Sequence, residues 1–142
     1  MREVLMFSEI PRLLDFSRTG SQAIGYLTVT QNSELPFTIR RVYWTYQVPT
    51  DTMRGGHAHH DLKQVVFAVN GQIGLTLEGI RGDKYTFTLN QPDQGLYIPR
   101  LYWGAITFST NAVLMCLASE EYLEADYIRE YAEFKILQHV HF

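Results

Sequence analysis

Short apolar runs separated by turn-forming residues follow one another along most of this chain. The runs are rich in β-branched and aromatic side chains, which is typical of strands. Asn70-Gly71 lies between two of them and predicts a tight hairpin. Because no helical periodicity intervenes, their order favours an antiparallel sandwich or barrel. The predicted strands are Ala23–Thr30, Phe37–Gln47, Gln64–Val69, Ile73–Glu78, Tyr85–Leu89, Gly95–Ile98, Ala105–Phe108 and Val113–Ala118.

The pattern changes only at the C-terminal end. From Glu120 to Leu137, apolar residues recur at roughly helical spacing between acidic and basic ones. This segment predicts a helix that packs on the outside of the β-domain. No linker, repeat or low-complexity segment divides the sequence, so we expect a single domain over residues 1–142.

Composition narrows the function classes without naming one. The 142 residues carry a net charge of −3, which does not favour binding to nucleic acid or to an anionic membrane. No run approaches the roughly 18 apolar residues of a membrane span, and we expect a cytoplasmic protein. The single cysteine, Cys116, lies in an apolar run. It predicts a buried thiol and excludes an intrachain disulfide.

The most informative motif is His57-Ala58-His59, which Arg54-Gly55-Gly56 precedes. Residues two apart on a strand share a face, so both imidazoles are expected to enter one cavity. Imidazole either binds a metal or moves protons near neutral pH. A third interpretation is that the two side chains only line a polar barrel mouth.

The residues around this motif resemble the first sequence motif of the cupin superfamily. In that motif the position of Gln64 normally holds a glutamate, and a second motif normally supplies another histidine. Here the matching region, Gly95–Gly104, contains no histidine, cysteine or carboxylate. Two imidazoles and a neutral amide are a poor donor set for a first-row metal ion. We therefore predict a site without metal or other cofactor, in which His57 and His59 act as acid and base on a carbonyl compound.

A narrower resemblance covers nearly the whole chain. Its segments are similar, in the same order, to the nucleotide-sugar 3,4-ketoisomerases, the WxcM-like or FdtA/QdtA-type cupins. The segments that carry the likeness are Pro36–Trp44, Arg54–His59, Gly95–Ile98, Leu117–Tyr122 and Asp126–Tyr131. The resemblance implies a cupin-type double-stranded β-helix, or jelly-roll barrel, with a short C-terminal helix.

The same resemblance implies an activity. Members isomerise dTDP-4-keto-6-deoxyglucose to its 3-keto isomer through an enediol, without metal, and prepare the sugar for a PLP-dependent 3-aminotransferase. Such deoxyamino sugars enter surface polysaccharides such as the O-antigen of lipopolysaccharide. Members are homodimers that commonly exchange N-terminal strands. Carried over, the catalytic residues are His57 and His59, with the order of their steps left open.

Substrate-binding residues are predicted beside the same motifs. Arg41 and Arg54 suit a diphosphate, because guanidinium matches phosphate geometry. Tyr43 and Tyr97 are expected to bind a sugar oxygen or stack on thymine. Gly104 departs from the family, where that position is often polar, and the C4 configuration of the product stays open. The alternatives are a dTDP-sugar epimerase and a non-catalytic sugar-binding cupin.

Overall fold

The computed structural model describes residues 9–141, in which twelve short β-strands precede one C-terminal helix. Single 3-10 turns span Asn32–Glu34 and Glu124–Asp126, and the helix, α1, spans Tyr131–His141. The strands are β1 (Arg12–Asp15), β2 (Arg18–Ser21), β3 (Gly25–Thr28), β4 (Arg41–Thr45), β5 (Arg54–His59), β6 (Gln64–Asn70), β7 (Ile73–Gly79), β8 (Lys84–Leu89), β9 (Gln94–Ile98), β10 (Tyr102–Phe108), β11 (Val113–Ala118) and β12 (Tyr127–Ile128).

The strands form two five-stranded sheets and one separate hairpin. The first sheet has the order β1-β9-β6-β11-β4 and the second has the order β12-β5-β10-β7-β8, while β2 and β3 pair with each other. Every pairing is antiparallel. The predicted all-β architecture with a short C-terminal helix is confirmed.

Side chains alternate between the two faces of each sheet. On β6, Val66 belongs to the core between the sheets, whereas its neighbours Val65 and Phe67 belong to a second cluster on the outer face of the first sheet. This is the period of two that a strand imposes on its side chains. On β5 the same alternation sends Ala58 into a third cluster beneath α1.

Two predicted strands are longer than the observed ones. Ala23–Thr30 contains only β3, and Phe37–Gln47 contains only β4. Phe37 and Ile39 pack on the outer cluster instead of extending the ladder. Their apolar pattern therefore reflects burial against the sheet and not membership of it.

The C-terminal helix begins later than Glu120, so the predicted helix over Glu120–Leu137 is wrong in its first half. That half forms a 3-10 turn and then β12, which pairs with β5. Tertiary contacts account for the difference. Ile128 is fully buried, and the carboxylate of Asp126 accepts hydrogen bonds from the backbone N–H groups of Asp61 and Leu62. The backbone of this segment also pairs with distant residues, because the carbonyl of Asp126 accepts the N–H of His60 and β12 pairs with β5. These backbone bonds replace those that a helix would form locally.

Helix α1 is held by one buried ring and one carboxylate. Phe134 is fully buried in the third cluster. Glu78 on β7 accepts hydrogen bonds from Tyr131, Lys135 and Gln138 at 2.7, 3.2 and 2.8 Å. Within residues 9–141, no helix has the length and apolar character needed to cross a membrane.

Candidate active site

A cavity between the two sheets collects the polar residues of several strands. Val66, Leu75, Leu77 and other core residues form its apolar lining. The side chains that can donate or accept hydrogen bonds in this lining are those of Tyr43, Thr45, Arg54, His57, His59, Gln64 and Tyr102. The structure thus brings Arg54, Tyr43 and both histidines to one place, as the sequence motifs predict.

A bulge at the start of β5 lets Arg54 and the histidines face the same cavity. Residues three apart on a regular strand point to opposite faces, so Arg54 and His57 would be separated without it. Gly104 on β10 pairs with His57 while its neighbour Ala105 pairs with Gly55, so β5 has one extra residue there. Gly55 and Gly56 have φ angles of +90° and +73°, which favour glycine.

His59 is oriented by a buried carboxylate. Its Nδ1 lies 3.2 Å from Oδ2 of Asp126, and both side chains are nearly inaccessible to solvent. Asp126 is itself fixed, because its oxygens accept the N–H groups of Asp61 and Leu62. With Nδ1–H donating to the carboxylate, Nε2 keeps a lone pair free to accept a proton.

The second imidazole lies beside the first, under a shared aromatic cover. The rings of His57 and His59 have centroids 5.0 Å apart, in an edge-to-face arrangement. The ring of Tyr127 lies 5.2 Å from His57 and 4.4 Å from His59. The guanidinium of Arg129 is 4.1 Å from the Tyr127 ring, and Glu124 holds Arg129 by a two-bond ion pair. Residues 124–129 thus form a strap across both histidines.

Both imidazoles are held neutral. Burial lowers the pKa of His57 below 6.5, and the charge of Arg129 lowers it further. Burial and the neighbouring His57 lower the pKa of His59 to about 4, against the opposite effect of Asp126. Near neutral pH, both side chains can therefore accept a proton.

The residue at the usual metal-ligand position is tied to other side chains. Oε1 of Gln64 accepts hydrogen bonds from the Tyr43 hydroxyl at 3.3 Å and from the Cys116 thiol at 3.1 Å. Cys116 is buried and free, as predicted. Among the residues that the structure describes, no three His, Cys, Asp or Glu side chains come together in a way that would hold a metal ion.

The predicted binding residues divide into two groups. Arg54 and Tyr43 line the cavity, and the Arg41 guanidinium lies 5.4 Å from the Tyr43 ring, with its buried Nε unpaired in the described part of the chain. The prediction that places Tyr97 in the binding site is corrected, because Tyr97 does not line this cavity. It points from the outer face of β9 into the second cluster, and its hydroxyl donates to Glu9. Its neighbour Ile98 takes the cavity side, because adjacent strand residues face opposite ways.

Two residues of the site escaped the sequence prediction. Asp126 and Tyr127 lie in the segment predicted as helix, so neither was assigned a role. The signal available was the pair Asp126-Tyr127 inside a segment that resembles the ketoisomerases. Only the return of this segment to β5 shows that it covers the histidines.

Residues 9–139 match the sequence model of the family described as FdtA, WxcM-like, C-terminal. The chain belongs to this family. The match covers nearly the whole sequence and confirms the family that the motifs predict.

Several proteins similar to this FdtA-family chain are named as 3,4-ketoisomerases or 3,4-oxoisomerases. The TDP-4-oxo-6-deoxy-alpha-D-glucose-3,4-oxoisomerase of Aneurinibacillus thermoaerophilus is 34% identical over 125 residues, which are 87% of this chain and 89% of the relative. QdtA, a sugar 3,4-ketoisomerase from Thermoanaerobacterium thermosaccharolyticum solved with TDP, is 35% identical with a TM-score of 0.86, covering 93% of this chain and 96% of QdtA.

A third relative agrees, and a more distant one separates fold from function. A 3,4-ketoisomerase from Helicobacter canadensis is 34% identical with a TM-score of 0.84, covering 91% of this chain and 97% of that protein. A dTDP-4-dehydrorhamnose 3,5-epimerase from Sulfolobus tokodaii has a TM-score of 0.71 at 15% identity, covering 82% of this chain and 74% of the epimerase. That likeness extends to the fold alone.

Proposed function

We propose that this protein is a sugar 3,4-ketoisomerase that converts dTDP-4-keto-6-deoxyglucose to the 3-keto isomer. The observation that carries the proposal is the pair of neutral imidazoles in one cavity, one of them oriented by Asp126. The names of the ketoisomerase relatives supply the substrate class. Membership in the FdtA family supports the same reaction.

The reaction moves a carbonyl by one carbon, and His59 is suited to its first step. A base takes the proton from C3, the C–H electron pair forms a C3=C4 bond, and the carbonyl pair moves to O4. The Nε2 lone pair of His59 can take this proton, since Nδ1–H is bonded to Asp126. The carboxylate then stabilises the imidazolium that forms, as it does in other His–Asp pairs.

The second half of the reaction needs proton transfers at O3, O4 and C4. O3 loses its proton, its electron pair forms the C3 carbonyl, and the enediol carbon C4 takes up a proton. His57 is the second proton carrier in this proposal, because it is neutral and adjacent to His59. Gly104, which pairs with His57 across the two strands, has no side chain that could share this role.

The diphosphate of the substrate is assigned to two arginines. Arg54 lines the cavity and is exposed to solvent. Arg41 lies near Tyr43 and has no carboxylate partner among the described ion pairs. Guanidinium groups bind phosphate oxygens in pairs. Tyr43 is assigned to the sugar because its ring is in the cavity lining.

The experiment that tests the reaction follows the carbonyl itself. We expect the protein, incubated with dTDP-4-keto-6-deoxyglucose in D2O, to give a product with the ketone at C3. Deuterium should enter at C4, because the proton carriers exchange with solvent. NMR of the sugar ring measures both, and the C4 coupling constants give the gluco or galacto configuration. Recovery of unaltered substrate would refute this function.

We also propose that the protein is a homodimer that uses the edge of the first sheet. Strand β4 forms that edge, and Val42, Trp44 and Tyr46 expose large apolar side chains there. Apolar edge strands tend to be covered by a partner. Exchange of N-terminal strands remains part of the proposal, and residues 1–8 lie outside the described part of the chain. In this single chain, β1 pairs with β9.

Sedimentation equilibrium of the intact protein tests the assembly. We expect twice the chain mass of 16.4 kDa. The Trp44→Lys variant, which places a charge on the edge, should shift the mass toward the monomer. The matched variant Met53→Lys, on an exposed loop, should leave it unchanged. A monomer at all concentrations in the unaltered protein would contradict the proposal.

A further inference from the structure

Gln64 occupies an unusual place in the cavity. It begins β6 and lines the cavity together with both histidines. Its carbonyl oxygen, Oε1, accepts two hydrogen bonds, from the hydroxyl of Tyr43 and the thiol of Cys116. Its amide nitrogen, Nε2, makes no hydrogen bond to any residue within 9–141, and it is not among the buried polar atoms that lack a partner.

The two bonds to Oε1 determine which way the amide faces. Burial raises the pKa of Tyr43 far above its usual value and raises that of Cys116 to about 12, so both groups keep their hydrogen. Because the Tyr43 hydroxyl and the Cys116 thiol both donate here, the oxygen end of the Gln64 amide faces them. The NH2 end, which can only donate, is then left for a ligand in the cavity.

Most other donors of the lining already make a hydrogen bond or have another role in the proposed reaction. The hydroxyl of Tyr43 donates to Gln64, and that of Tyr102 donates to Asp83 at 2.9 Å. Arg54 is exposed and suits the diphosphate. Both histidines are committed to proton transfer in the proposed reaction. Among the described residues, the neutral side-chain donors of the lining left for an oxygen of the sugar are the hydroxyl of Thr45 and the amide of Gln64. Of the two, Gln64 has its oxygen end fixed by hydrogen bonds from other side chains.

We propose that Gln64 is a catalytic residue that donates a hydrogen bond from Nε2 to the sugar oxygen on which negative charge develops during enolisation. This inference rests on the proposed ketoisomerase function. When the C3–H pair forms the C3=C4 bond, the carbonyl pair moves to O4, and a fixed N–H there stabilises the charge as it forms. Gln64 transfers no proton. It supplies by hydrogen bonding what a metal ion would supply by coordination at this position.

Two substitutions of Gln64 separate donation from packing. Gln64→Met keeps the length and removes the amide. Gln64→Glu keeps an oxygen for Tyr43 and Cys116 and replaces only the donor, and it is assayed with a chelator so that no metal binds beside the imidazoles. We expect kcat to fall about 10²-fold in both variants, the size typical of a lost oxyanion donor. KM and the Kd for TDP should change less than about threefold.

The control is Gln72→Met, which makes the same change at an exposed position between β6 and β7 and should leave kcat unaltered. Thermal unfolding of all variants reports a purely structural role. If Gln64→Met and Gln64→Glu unfold at lower temperature but keep kcat within about threefold of the unaltered protein, the inference is wrong. If the unaltered protein does not isomerise the sugar at all, the proposed function fails instead, and the two failures are thus distinguishable.

Cys116 provides a second test, because it is outside the cavity lining and donates a hydrogen bond to Gln64. As a positioning residue its loss should let the amide rotate and lower kcat about three- to tenfold in Cys116→Ala. Cys116→Ser keeps a donor and should recover most of the activity. Exchange of the C3 proton with D2O should slow in parallel with kcat, since the effect lies in enolisation. Equal kcat values for the alanine and serine variants would overturn this part of the inference.

Discussion

Replacing His59 with asparagine is expected to lower kcat for the isomerisation by at least about 10³-fold while TDP still binds. The asparagine can keep a hydrogen bond to Asp126, but its amide has no basic nitrogen to take the C3 proton. General bases contribute about 10²- to 10⁴-fold, and no other imidazole among the described residues has the same carboxylate partner. Turnover by NMR and TDP binding by calorimetry measure the two effects separately.

His139→Asn makes the same chemical change on the exposed side of α1 and should keep full activity. His57→Asn should also lose turnover, because the second proton carrier is absent. If His59→Asn turned over the sugar at the normal rate, His59 would not be the base, and the proton transfer proposed for it would be wrong. Loss of TDP binding in His59→Asn would indicate a role in affinity instead of proton transfer.

Replacing Asp126 with asparagine is expected to lower kcat about 10²- to 10³-fold and to leave KM nearly unchanged. The carboxylate accepts hydrogen bonds at both oxygens, from Asp61, Leu62 and His59, whereas an amide has one oxygen. Asparagine therefore either loses backbone bonds or presents an NH2 group to Nδ1, which favours the wrong tautomer of His59. The matched control, Asp51→Asn on an exposed turn, should be active.

The pH profile of Asp126→Asn distinguishes an effect on His59 from a purely structural effect. Because the pKa of His59 is about 4, kcat/KM of the unaltered protein should stay level as the pH falls below 6.5. It should decline only as the pH approaches about 4. Asp126 raises the pKa of His59, so its neutralisation should shift the acid limb further down. An acid limb that stays at the same pH in Asp126→Asn would argue against direct coupling of the two residues.

The same pKa shift has a consequence for stability. His59 binds a proton more readily in the unfolded chain than in the folded one, since its folded pKa lies below 6.5. As the pH drops below 6.5, His59 takes up a proton in the unfolded chain before it does so in the folded one. The free energy of unfolding therefore decreases between pH 6.5 and about 4. Loss of activity at acid pH should accordingly be separated from unfolding by circular dichroism at each pH.

Local sequence pattern was sufficient for much of the site. His57 and His59 are two residues apart, and the strand period alone places them on one face. Gln64 at the usual carboxylate position already argued against a metal, and Arg54 and Tyr43 lie in the motifs that carry the family resemblance. The apolar runs likewise predicted most strands of the interior core, because each run must bury one face against the opposite sheet.

Pattern failed where a contact between distant segments decided the outcome. Tyr97 has a side chain suited to binding a sugar or a base. Its position in the strand alternation, however, directs it into the second cluster, on the outer face of the first sheet. Residues Glu120–Leu137 have helical spacing, yet pairing of Tyr127 with His59 and Ile128 with Ala58 makes a short strand of the middle of this segment. Local spacing carries no information on such a pairing partner.

The chemistry of His57-Ala58-His59 thus depends partly on the local sequence and partly on the tertiary structure. The sequence by itself determined that two imidazoles share a face, that glycines precede them and that a good metal donor set is missing. Only the tertiary structure decided their protonation, because burial lowers the pKa of both imidazoles. The residues that contact or charge them, Asp126, Arg129 and Tyr127, come from a segment almost 70 residues away in the chain. A pKa depends on neighbours in space, and these neighbours are set by how the chain returns to β5.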